Sequence, residues 1–295
     1  MLTLLASADL VTWMSICVKA LAYATTLMAV GSVLALLSLR PLPPEEMRAL
    51  RQSALVCAVL AAVVSLARLP LRASFLMGGT WQGASDLVML AMVSESPLGT
   101  SVALRLVGLG LIFGLMVPGR AGRWLAALGA VLAAASFAFR GHALEDPRLL
   151  IGSLITLHIL GLAFWIGAFA PLYRCAGRAS GNLAGRLAHD FGQKALWIVG
   201  LLSLAGVVML WCLTGGLAQA VFSPYGQFFG LKLALFAATM GFAAWNKLRL
   251  TPALLGADPR GGDRLRRSLV VEAALILVIL VTTAALTTLA SPSQL

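Results

Sequence analysis

Charge is what this sequence has least of. Only 11% of its residues are charged, and the acidic ones number 11 in 295. A soluble domain of this size needs a charged surface, so a freely soluble fold is excluded. The chain carries three histidines and four cysteines, Cys17, Cys57, Cys175 and Cys212, and none of the cysteines forms a CxxC pair. That excludes a disulfide framework and a zinc ribbon. No GxxxxGK[ST] loop is present, and neither is an HExxH or a GxSxG motif. A nucleotide-driven motor and the common hydrolase centres are thereby set aside, and the expected protein is not an enzyme. An intramembrane CPC cysteine motif is also missing. The N-terminus lacks a basic stretch before its apolar run, so no cleaved signal peptide is expected.

What is there is hydrocarbon. The chain is 60% hydrophobic with a mean hydropathy of +0.94. Its apolar runs are continuous and near twenty residues, as helices that cross a bilayer require, rather than alternating as barrel strands do. The expected fold is all-α: one polytopic membrane domain of about eight transmembrane helices at 11–39, 53–69, 98–117, 123–139, 149–173, 195–214, 225–248 and 268–289. Residues 70–97 are expected to form a mixed periplasmic or interfacial segment, as surface helices or dipping into the membrane.

The net charge of +11 does not point to nucleic acid, because the basic residues share no face. They gather in alternate short loops: Arg40, Arg48 and Arg51, then Arg120 and Arg123, then Arg174 to Lys194, then Lys247 to Arg267. The positive-inside rule places those loops in the cytoplasm and both termini outside. Ser96-Pro97-Leu98-Gly99 followed by Arg105-Leu106 recurs as Ser223-Pro224-Tyr225-Gly226 followed by Lys232-Leu233. The match suggests two parallel four-helix repeats.

The chemistry concentrates between Arg140 and Arg174. His142 precedes the acidic pair Glu145 and Asp146 at the outer surface. His158 lies within the fifth span, with Trp165 two turns further on along the same face. An ionisable ring in a membrane-spanning helix is a functional candidate by default, against the plainer reading of an interhelical hydrogen bond. Three sulfur pairs near the outer side repeat an i, i+3 spacing: Met14 with Cys17, Met89 with Met92, and Met209 with Cys212. Thioether and thiolate suit Cu(I), and imidazole takes either copper state, although methionine and cysteine also fill apolar gaps. Lys19, Arg105, Lys232 and Glu272 are charges inside apolar runs. Arg105 and Lys232 are expected to snorkel to the interface; Glu272 could pair with the Arg264–Arg267 cluster about one turn away, with a proton-relay or counter-ion role as the alternative.

Read together, these pieces resemble the bacterial copper resistance protein D (CopD) family, including the membrane portion of YcnJ-type copper uptake proteins. Gly141-His142-Ala143 and His158 with Trp165-Ile166-Gly167 carry most of the likeness. Lys19 with Tyr23, Tyr225-Gly226 leading to Lys232, Asn246 to Pro252, and Leu265-Arg266-Arg267-Ser268-Leu269 with Glu272 support it. The resemblance implies a protein of the bacterial inner membrane that moves copper, as Cu(I) or Cu(II), alongside a periplasmic copper-binding protein of the CopC type. Import is the expected direction. Two other readings compete: a membrane electron-transfer protein holding a b-type haem between His142 and His158, and a copper-binding sensor or assembly factor that transports nothing.

Overall fold

The computed structural model describes residues 9–139, 148–178, 181–214 and 224–289, with the side chains at 181, 205, 207–214, 224–226, 228 and 229 outside that description. Among the described residues the chain is helical and contains no strand. The helices are α1 (Leu10–Ser38), α2 (Pro44–Leu76), α3 (Trp81–Ser85), α4 (Leu87–Glu95), α5 (Pro97–Ile112), α6 (Gly119–Ala135), α7 (Arg148–Ala176), α8 (Gly181–Thr214), α9 (Pro224–Trp245), α10 (Thr251–Leu255) and α11 (Gly261–Leu289). Tight 3₁₀ turns at Phe113–Met116 and Ser136–Phe139 extend α5 and α6, and a π turn at Asn246–Leu250 follows α9. Among the described residues, six helices are long and apolar enough to cross a membrane: α1, α2, α5, α6, α7 and α11. α8 and α9 occupy the sixth and seventh expected spans.

Each start follows from its local sequence. Asp9 caps α1, its Oδ1 accepting from the Thr12 N–H at 2.8 Å; Asp86 does the same for Met89 at α4. Such caps satisfy amides that have no partner inside the helix. Pro44 opens α2, and Pro97 opens α5 behind a Ser96 cap. Pro224 opens α9, so both copies of the Ser-Pro repeat begin a helix with proline at its first position. α2 runs on through Pro70 to Leu76, and the rest of the interfacial segment folds as the short helices α3 and α4.

α1 is the hub. It packs on α2, α6, α7 and α11, and Ala22, Ala29, Val30, Val33 and Ala35 on it are fully buried. At its crossing with α7 the backbones touch. A methyl added to Gly31 would stand 2.0 Å from the Ala163 carbonyl oxygen, and one on Gly167 would stand 2.1 Å from that of Gly31. Gly108 and Gly129 make the same close approach between α5 and α6. In lipid, where burying apolar surface drives little association, such small-residue contacts supply the packing.

Candidate functional site

α7 carries the candidate site because it sets a polar side chain on each of two levels. On the upper level, the His158 imidazole is crowded by protein and within electrostatic range of the Lys232 ammonium on α9, yet keeps an open face. Seven residues on, Trp165 is buried at 6% exposure. Its indole meets the Phe191 ring edge to face, with centroids 5.6 Å apart at 84°.

The lower level joins three helices. The carboxyl of Glu272 on α11 is 2% exposed and accepts from the Asn246 side-chain amide. The Trp165 indole N–H borders this carboxyl without reaching hydrogen-bond geometry. Asn246 opens the π turn, and the Thr251 hydroxyl bonds back across it to the Asn246 carbonyl at 2.9 Å. π turns insert one residue into a helix and often mark working positions. Asn246 Oδ1 is buried with no hydrogen-bond partner.

Two expectations about buried charges are corrected here. Glu272 makes no ion pair with the Arg264–Arg267 cluster: Arg264 pairs with Asp258 at 3.3 Å, and Arg266 bonds the Tyr173 hydroxyl at 2.9 Å and stacks over its ring. The reason is spacing: none of Arg264, Arg266 and Arg267 stands three or four residues before Glu272, where a side chain on the same helix would lie beside the carboxyl. Arg105 does not snorkel. It is fully buried, with Nε on the Ser136 hydroxyl at 3.0 Å and its guanidinium 4.2 Å from the Phe137 ring centre. Lys232 is half-exposed.

The sulfur candidates are dispersed. Met14 and Cys17 share an exposed face of α1. Met89 packs into a small cluster with Ala73, Val93, Leu98 and Val102, while Met92 is 59% exposed. His142, Glu145 and Asp146 lie outside the described residues, as do the side chains of Met209 and Cys212. Among the described residues, no group of three or more His, Cys, Asp or Glu side chains converges on a metal-sized space.

Lys19 is buried and donates to the Thr287 carbonyl at 2.8 Å and the Thr288 hydroxyl at 3.2 Å. It lines a cavity of about 510 Å³ with Arg68, Arg72 and Met92. Among the described residues that line it there is no carboxylate.

At the opposite end of the bundle an ion cluster ties α2 to α7. Glu46, 1% exposed, takes Arg174 at 2.7 Å and Arg178 at 2.9 Å. Sequence reasoning missed Glu46 and the burial of Arg68. A glutamate in the first turn of a helix reads as a cap-side surface charge. The partners of Glu46, Arg174 in the last turn of α7 and Arg178 just beyond it, stand 128 and 132 residues away along the chain, so no local pattern announced the pairing.

Apolar helices, buried charges on their inner faces and small-residue crossings define the class: a polytopic helical membrane protein. Two family models match most of the chain between them, the copper resistance protein D-like N-terminal domain over residues 7–149 and copper resistance protein D over residues 185–286. A protein of Pseudomonas syringae pv. tomato named copper resistance protein D is 31% identical over 206 residues, covering 63% of this chain and 66% of that protein. No solved structure matches the chain. The chain belongs to the copper resistance protein D family. It spans about two thirds of the length of the curated relative.

Proposed function

We propose that this protein, as a single membrane domain, carries copper across the bacterial cytoplasmic membrane, from the periplasm inward, and is not an enzyme. The observation that carries the reading is the two-level arrangement along α7, with His158 above and Trp165 with Glu272 and Asn246 below. Polar groups this deep in apolar helices mark ion pathways. Family membership supports copper as the cargo.

In this reading copper reaches the outer mouth at His142, with Glu145 and Asp146 attracting the cation and Met89 and Met92 handing it on. His158 takes it next, helped by sulfur from Met14 with Cys17 or Met209 with Cys212. The open face of the imidazole leaves a position for such a ligand. The Lys232 ammonium opposes a metal ion held there, which shortens its stay, and a transported ion must be held weakly enough to leave. A periplasmic copper-binding protein of the CopC type would deliver the metal. Both termini face the periplasm, and the Glu46 cluster faces the cytoplasm. The membrane potential then draws copper inward by about 2.3 kcal/mol per charge per 100 mV.

Metal content and the visible spectrum of the purified protein, beside His142→Ala and His158→Ala, test this. Copper near one equivalent, lost in both variants and without a Soret band, supports the reading. A Soret band that disappears with either histidine makes this a haem protein instead. Copper that survives both substitutions moves the metal to the sulfur pairs.

A further inference from the structure

Glu272 has the surroundings of a neutral acid. Its carboxyl is 2% exposed and receives one geometrically sound hydrogen bond, from Asn246 Nδ2 to Oε1. An ionised carboxylate offers about four lone-pair positions, and burying it with most of them empty is costly. Among the described residues no charged group compensates. α11 packs against α1, α7, α8, α9, the π turn and α10, and the titratable groups of those elements are engaged elsewhere. Lys19 of α1 binds Thr287 and Thr288 near the far end of α11. Lys232 of α9 lies near His158 of α7 and is not among the groups that act on Glu272, and Tyr173 of α7 holds Arg266. Lys194 of α8 pairs with Asp190, and Lys247 of the π turn donates to the Gly192 carbonyl. Arg249, Arg267 and His189 are exposed, and α10 has no charged residue.

The partner shows the complementary deficit. Asn246 spends its amide N–H on Glu272, while its carbonyl oxygen is buried with no donor. A carboxylic acid and a carboxamide form a cyclic pair through two hydrogen bonds. The amide N–H donates to the acid's carbonyl oxygen, and the acid's O–H donates to the amide oxygen. Half of that pair is in place, and one proton on Glu272 Oε2 supplies the other half.

We infer that Glu272 is an intramembrane proton-binding site, held as a neutral acid–amide pair with Asn246, and that it is the proton-coupling site for copper movement. The second half of this inference rests on the transport reading above; the first does not. Losing the proton to water leaves a carboxylate facing the Asn246 carbonyl oxygen. The repulsion falls on the residue that opens the π turn, where a one-residue register shift gives the inner end of α9 a second arrangement.

The test is infrared spectroscopy of the full chain in vesicles without copper, followed by copper uptake with a trapped pH dye. The wild type should show a protonated-carboxyl C=O band at neutral pH that is absent in Glu272→Gln and shifted in Asn246→Val, which keeps the acid but removes its acceptor. Glutamine reproduces both hydrogen bonds of the neutral pair, so that variant should fold and should lose any proton movement that accompanies copper. Coincident spectra for wild type and Glu272→Gln would overturn the proton site and leave the import reading untouched. Proton movement unchanged in Glu272→Gln would overturn the coupling role. A Glu272 band in a wild type that moves no copper supports the proton site and counts against import.

Discussion

Two adjacent glutamates give a sharp prediction, because they carry the same charge on the same turn of α2 in opposite environments. Glu46 is buried at 1% exposure, with Arg174 Nε at 2.8 Å and Nη2 at 2.7 Å, and Arg178 at 2.9 Å. Glu45 reaches only Arg178, at 2.9 Å, with 70% of its side chain in solvent. Removing one member of a buried ion pair costs about 3–5 kcal/mol. The guanidinium groups keep 42% and 33% of their side-chain surface, so water recovers part of that loss. Glu46→Ala should therefore cost about 2–3 kcal/mol, in the range of a charged hydrogen-bonded group left unpaired. At about 2–4 °C per kcal/mol, its melting temperature in detergent should fall by about 4–12 °C. Glu45→Ala should cost less than about 0.5 kcal/mol, as exposed pairs do. Tryptophan fluorescence of the purified variants reads both. Equal shifts for the two substitutions would refute the assignment of Glu46 as the tie between α2 and α7.

Three further outcomes follow from the same geometry. Gly31→Ala should destabilise by at least about 1–3 kcal/mol, because its methyl meets the Ala163 carbonyl at 2.0 Å, whereas Gly110→Ala meets nothing within 4 Å and should be tolerated; thermal melts compare them. Arg105→Ala should cost about 2–4 kcal/mol through the Ser136 bond and the Phe137 ring contact, and Arg105→Lys should recover little of it, since lysine lacks the planar fork. The Thr12 hydrogen bonds hold the Asp9 carboxyl below its ordinary value of 3.8. Its cap therefore acts fully above that value and is lost as the pH falls through the lowered one. Hydrogen exchange in the first turn of α1 should rise on acidification in the wild type, beyond the ordinary change in exchange chemistry, and not in Asp9→Ala.

Much of the fold was legible because a membrane simplifies the signal. Runs such as Leu149 to Tyr173 declare a helix by length alone, whereas α2 begins at Pro44, ahead of the start expected at 53. What composition cannot show is which way a side chain turns. Arg105 looked like a residue free to reach the interface, but Ser136 and Phe137 from the turn after α6 enclose it. Glu272 had a basic cluster nearby in sequence, yet no arginine of that cluster stands one helical turn before it, and Asn246 takes it instead. The sulfur pairs had matching spacings, but spacing places two residues on one face without saying what that face meets: Met14 and Cys17 look outward, and Met89 is packed. Asn246 belonged to the resemblance, whereas its orphaned oxygen is visible only in three dimensions.

The central claim is that copper passes His158 on its way inward. Radioactive copper uptake into proteoliposomes, with the inside negative, measures this most directly for the wild type beside His158→Ala and the bystander His189→Ala. The account predicts time-dependent uptake in the wild type and His189→Ala that collapses in His158→Ala while the variant stays folded. Uptake at wild-type rate in His158→Ala would contradict it.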